Sequence, residues 1–257
     1  MLRRLWAYRD LLVTLVRSQY RLRYRQSFLG LAWAVLPPLA TLGAGALVFH
    51  HVVGIQGGPF PYALVAMAGL VPWTFFANSL TLGVPSVAAS EPIVTRHAFP
   101  RAILPLSLVG TSLVDLLVSV GIFAVFAVGY GVGIPWTAAW IVLLIVIEAI
   151  FISGVALLGS AVNAFARDVR LMVPVAVQIW LFLTPVLYPL KTVPRGLRSL
   201  YLLNPMTGIV ESFRRTLLYG TGPELSLLWP TLAGTAVALI LGWWYFDATE
   251  GRFADVL

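Results

Sequence analysis

The chain has 257 residues, of which 60% are hydrophobic and only 11% charged, against about 25% charge in an average soluble domain. A soluble fold of this length could not hide so much apolar surface, so lipid must solvate much of it, and the expected class is an all-α integral membrane protein in one domain, residues 1–257. The absence of cysteine excludes disulfides and thiolate metal sites, His50, His51 and His97 form no metal-ligand pattern, and the formal charge of +7 points to anionic lipid as a simpler partner than nucleic acid.

Seven of the seventeen basic residues fall within the first 25 positions. Leu5, Tyr8, Leu11, Leu12, Leu15, Val16, Gln19 and Leu22 recur there at helical spacing, and the arginines mostly take the other angles. This predicts an amphipathic helix within 1–30, lying in the cytoplasmic interface. It does not read as a secretory signal, because arginine interrupts every apolar run.

From Gln26 to Ser90 there is no Asp, Glu, Lys or Arg, and the only basic side chains are two histidines. About 20 helical residues cross a bilayer, so this stretch holds two spans, divided at Gly54–Pro59. The spacing predicts spans at about 31–53, 62–84, 102–130, 136–165, 171–190 and 228–246. The connection from Lys191 to Leu227 is too charged and too broken by proline to cross. It is expected to form short re-entrant or interfacial helices. With the N-terminus inside, cytoplasmic segments collect twelve basic residues and outer segments five, which favours both termini in the cytoplasm.

No catalytic or cofactor motif is present. A phosphate-cradling G-x-x-x-x-G-K-[ST] loop is impossible, since the only lysine is Lys191 and Leu190 precedes it. There is no G-x-S-x-G elbow and no H-E-x-x-H helix. The chain is therefore expected to be no enzyme, with no cofactor or metal of its own, and any ATP chemistry must belong to another polypeptide. Asp115 and Glu148 fall inside spans, where a charge needs a partner or a proton. They read either as a proton relay or as hydrogen bonding within the bundle, to each other across antiparallel helices for instance.

Several strings occur in order. Arg23-Tyr24-Arg25-Gln26-Ser27-Phe28-Leu29-Gly30-Leu31-Ala32-Trp33 leads into Leu36-Pro37-Pro38. Pro72-Trp73-Thr74-Phe75-Phe76-Ala77-Asn78-Ser79 lies in the second span. Asn163-Ala164-Phe165-Ala166-Arg167-Asp168-Val169 closes the fourth. Thr184-Pro185-Val186-Leu187-Tyr188 ends the fifth, and Asn204-Pro205-Met206 follows. Physically, Gly30 permits a sharp bend, Pro37-Pro38 would kink a span, and Asn78 needs an interhelical partner.

This ordered set resembles the membrane subunit of type-2 ABC exporters for polysaccharides, with the O-antigen permease (Wzm-like) as the nearest likeness and teichoic acid and capsule permeases as relatives. The resemblance implies a homodimer bound to two ATPase subunits, which would carry ATP and Mg. It implies export of a lipid-linked glycan across a bacterial inner membrane. Exporters of small lipids or drugs in the same family are an alternative, and an ion-coupled stand-alone carrier is another. The matching positions for ATPase coupling are Arg23, Arg25, Glu91, Arg96, Arg101, Arg167 and Asp168. Aromatic rings can stack on the C–H faces of sugars without reading their order. Along a conduit between first and fifth spans, Trp33, Phe49, Trp180, Phe182 and Tyr188 would serve this way, with Tyr201, Phe213 and Tyr219 at the outer mouth.

Overall fold

A computed structural model describes residues 2–24, 32–48, 59–97 and 99–256. No strand occurs among them. The helices in order are α1 (Leu2–Ala7), α2 (Arg9–Tyr24), α3 (Ala32–Gly45), α4 (Tyr62–Gly83), α5 (Ser86–Ala89), α6 (Glu91–Arg96) and α7 (Ile103–Gly129). They continue with α8 (Trp140–Phe165), α9 (Val169–Leu183), α10 (Arg195–Leu202), α11 (Pro205–Leu217), α12 (Leu225–Thr249) and α13 (Phe253–Val256). Local chemistry sets several of these ends. Gly131 and Gly220, at φ +73° and +64°, turn the chain after α7 and α11. Asn204 caps α11 by accepting the Met206 N–H at 3.1 Å, with Pro205 in the first helical position.

Among the described residues, four helical stretches are long and apolar enough to cross a membrane: Tyr62–Gly83, Ile103–Gly129, Trp136–Phe165 and Leu225–Arg252. They occupy the second, third, fourth and sixth expected spans. The other two differ. The ends of the expected 31–53 span lie outside the described residues, leaving α3 and its continuation to Val48. The fifth helix ends at Leu183 rather than near 190, because Thr184 turns to an extended conformation. Its 15 residues rise about 22 Å, less than the hydrocarbon thickness of about 30 Å.

The links at 84–102 and 166–168 share one end of the bundle with the close of α12, here called the basal end. The turns at 130–135 and 218–224 mark the distal end. α4 is the central helix, with Leu64, Val65, Ala66, Ala68, Phe75 and Phe76 essentially without exposure. Phe76 stacks on Phe151 of α8, centroids 5.9 Å apart, and meets Trp180 of α9 edge-on at 4.9 Å. α8 and α12 run side by side in their closest approach. A Cβ on Gly242 would fall on the Gly154 carbonyl oxygen, and one on Gly154 would meet the Ala238 backbone. Lipid offers no hydrophobic drive between helices, so such backbone contact supplies the dispersion energy that holds them.

α11 is the short helix expected between the last two spans, and it is a buried wedge. Pro205, at its start, lies where Gly234 of α12 leaves room, whereas Thr137 Oγ1 donates to the Thr216 carbonyl near its end at 2.9 Å. The helix therefore climbs from the depth of the bundle to the distal end. Arg214 on it has no exposure. Its guanidinium donates to the carbonyls of Val65, Pro185 and Val186 at 3.1, 3.1 and 2.9 Å and pairs with Glu211 at 2.6 Å. One side chain thus joins α4, α11 and the turn after α9.

α2 forms as the 3.6-residue periodicity predicts, but it packs along α7. Gly110 makes room for Val16, and Arg23 pairs with Asp115 at 2.7 Å. Asp115 stands twelve residues from the basal start of α7, about 18 Å along it.

Candidate functional site

The basal end gathers most of the positions expected to couple to an ATPase. Glu91 opens α6 and Arg96 closes it, both exposed, over a buried Val94. Arg167 and Asp168 are exposed in the turn between α8 and α9, where the Arg170 N–H donates to Asn163 Oδ1 at 2.9 Å. Glu91 and Arg167 line one cavity of about 180 Å³. Two expected positions behave differently. Arg101 turns toward the residue that follows α12: its backbone N–H donates to the Glu250 carboxylate at 2.6 Å, and its guanidinium reaches the Glu250 and Val94 carbonyls. Arg23 sits apart, in its ion pair with Asp115. Arg25 lies outside the described residues.

The expected conduit residues also separate. Trp180 is half-buried against Phe76. Phe182, 55% exposed, stands outside the bundle. The Tyr188 hydroxyl lies 2.9 Å from the Phe182 carbonyl, to which it donates, and 3.2 Å from the Tyr201 hydroxyl. Burial, with the Tyr201 contact adding to it, holds the Tyr188 phenol protonated well above the usual range. Tyr219 is half-buried and edge-on to Phe60 at 5.3 Å, and burial raises its phenol pKa too. Phe213 is a correction: it has no exposure and lines no mouth, because it stands on a buried side of α11, of which only Glu211 and Arg215 are partly exposed. The side chain of Trp33 and all of Phe49 lie outside what the structure describes.

The two carboxylates in the spans do not meet each other. Asp115 takes Arg23 as its cation. Glu148 has no exposure, and neither of its oxygens has a hydrogen-bond partner among the described residues. No group of three potential metal ligands occurs among them either.

Sequence reasoning missed three functional candidates. Asn163 stood inside a quoted string without a role. Arg214 was counted only as a charge, although Glu211 three residues earlier gave the spacing of an ion pair on one helix face. The joining of Arg23 to Asp115 spans 92 positions and leaves no local signal.

Comparison with known proteins places this geometry. An O-antigen export system permease protein RfbA from Myxococcus xanthus is 31% identical over 99% of this chain and 98% of its own length. A Klebsiella pneumoniae protein of the same name is 30% identical over 96% of this chain and 95% of its length. The polysialic acid transport protein KpsM of Escherichia coli is 21% identical over 87% of each. Residues 10–218 match the family described as ABC-2 type transporter. The chain belongs to that family.

Proposed function

We propose that this chain is the membrane subunit of an ATP-driven exporter that moves a lipid-linked polysaccharide, of the O-antigen kind, from the cytoplasm across a bacterial inner membrane. The observation that carries the reading is the similarity to O-antigen export permeases over nearly the whole of both chains. Two copies would pair and bind two ATPase subunits, which hold the ATP and Mg. On this reading the basal end is cytoplasmic, both termini lie there, and α3 and α9 complete six spans. Glu91, Arg96, Arg167 and Asp168 would face the ATPase; Arg101 would brace the link behind them.

The uncovered apolar face of α9 supports the pairing. Leu171, Val175, Ile179 and Leu183, each four residues apart, are 57–67% exposed, and only Val177 on this helix is buried. The half-buried and exposed aromatics Trp180, Phe182 and Tyr188 follow on the same helix and its turn, where a polymer could stack as it passes.

The test has two parts. An ATPase should co-purify with the chain in mild detergent. Deleting the gene should cause a glycolipid to accumulate in the leaflet facing the cytoplasm. A chain that purifies alone and transports without ATP would sink the reading. It would favour an ion-coupled carrier built on the unpartnered Glu148. Teichoic acid and capsule remain the alternative cargoes, and the accumulated lipid distinguishes them. For the conduit, Phe182→Ala is the cleaner probe, since Trp180 also packs the core. Export unchanged by Phe182→Ala would remove that residue from the lining.

A further inference from the structure

The cavity between the 85–91 link and the α8–α9 turn has the chemistry of an anion site. Ala88 and Ala89 leave it room, and Glu91, Asn163, Arg167 and Arg170 form its polar wall. Asn163 is fully buried. Its orientation is fixed, because Oδ1 accepts the Arg170 backbone N–H at 2.9 Å, so Nδ2 is the remaining end. That Nδ2 has no hydrogen-bond partner among the described residues. A buried donor left unmade is costly, so an acceptor belongs beside it.

The wall says which acceptor. The Arg170 guanidinium presents a planar donor fork suited to oxyanions, with Arg167 and Glu91 also on the wall. Arg170 makes no salt bridge with any described residue. The first turn of α9, fifteen residues long, adds the positive end of its dipole. Asp168 is exposed and is not part of the wall.

Depth selects the source. Immediately after Arg170 come Leu171 and Met172, 67% and 64% exposed. A step from guanidinium to uncovered apolar side chains within one residue belongs at the headgroup level of a bilayer. A lipid phosphate is within reach there.

We propose that this cavity binds the phosphate of a lipid headgroup, with Asn163 Nδ2 and Arg170 donating to its oxygens. The lipid is a bulk anionic phospholipid. The site stands on its own wall, whatever cargo the chain exports.

The test uses the full chain, delipidated in a neutral detergent and examined by native mass spectrometry. Phosphatidylglycerol is the probe, diacylglycerol the phosphate-free control, and inorganic phosphate the competitor. The wild type should retain phosphatidylglycerol over diacylglycerol. Asn163→Leu and Arg170→Gln should each weaken retention about tenfold, the effect of one charge-assisted hydrogen bond. Glu91→Gln should strengthen it, a gain that misfolding cannot produce. Displacement by inorganic phosphate would show that the phosphoryl group suffices; variant losses without displacement would assign the whole lipid as ligand. Equal retention of diacylglycerol, or variants that bind like the wild type, would overturn the proposal. So would loss of ATPase co-purification in Arg170→Gln with lipid retention intact, since the cavity would then be a seat for the partner protein.

Discussion

Two arginines show how far a guanidinium's worth depends on its surroundings. Arg214 is wholly enclosed and spends its donors on three backbone carbonyls and one carboxylate. Arg214→Ala leaves Glu211 and those carbonyls unanswered and should cost about 3–5 kcal/mol, the range for breaking a buried ion pair. Arg214→Lys should rescue little, because one ammonium cannot span four acceptors on three elements. Thermal unfolding in detergent reads both; a lysine variant as stable as wild type would refute the bridging role. Arg23 is different, with a third of its side chain exposed against 6% for Asp115. Arg23→Ala should destabilise more than Asp115→Asn. The first removes a cation from a buried carboxylate, whereas the second leaves an arginine whose side chain is already a third exposed. The reverse order in unfolding experiments would show that the carboxylate is not the dependent partner.

At the scale of elements, periodicity and span length were legible, because the bilayer fixes how many apolar residues a crossing needs. The four long helices follow the hydropathy runs, and the proline and glycine links fall between them. What escaped was inter-element geometry. α11 has the composition of a surface helix, with Glu211, Arg214 and Arg215 in thirteen residues, yet eleven of those positions are buried. Charge pairing within the wedge, invisible to a count of charges, makes that burial tolerable. The same holds for Phe213, whose aromatic character fits a mouth or a core equally well. The contact of α8 with α12 was likewise hidden in two ordinary glycines. Gly242→Ala should separate these helices and lower the unfolding midpoint by several degrees. Gly43→Ala, with nothing among the described residues within 4 Å of its new Cβ, should leave the midpoint unchanged or raise it through helix propensity. Equal effects of the two substitutions would mean that the close approach carries no stability.

For the whole molecule, the candidate site was half legible. The basal positions in and beside the 84–102 and 166–168 links came from the family resemblance, and Glu91 and Arg167 do share a cavity. Arg101 and Arg23 carry the same charge but serve internal contacts, a distinction that only three-dimensional neighbours reveal. The uncovered face of α9 gives a prediction at this scale. The chain has no cysteine, so a single Ile179→Cys variant carries one thiol per copy. Oxidation in membranes should yield a covalent dimer at that position and far less of it for Val237→Cys on the exposed flank of α12. Equal yields at both positions would mean that α9 does not meet its own copy.

The wedge has a last consequence, for biogenesis. α11 nests against α12: Pro205 occupies the space at Gly234, and Gly208 abuts Thr231 and the Leu227 carbonyl. Those partners leave the ribosome after α11 itself. The segment is too short to be threaded across the membrane as a span, and although Arg214 already has Glu211, Val65, Pro185 and Val186 within the chain made so far, the face bearing Pro205 and Gly208 stays uncovered until α12 is delivered. Seating of α11 is therefore completed only when the last span arrives, and a nascent chain halted before Leu225 carries a short helix with its Pro205 and Gly208 face uncovered.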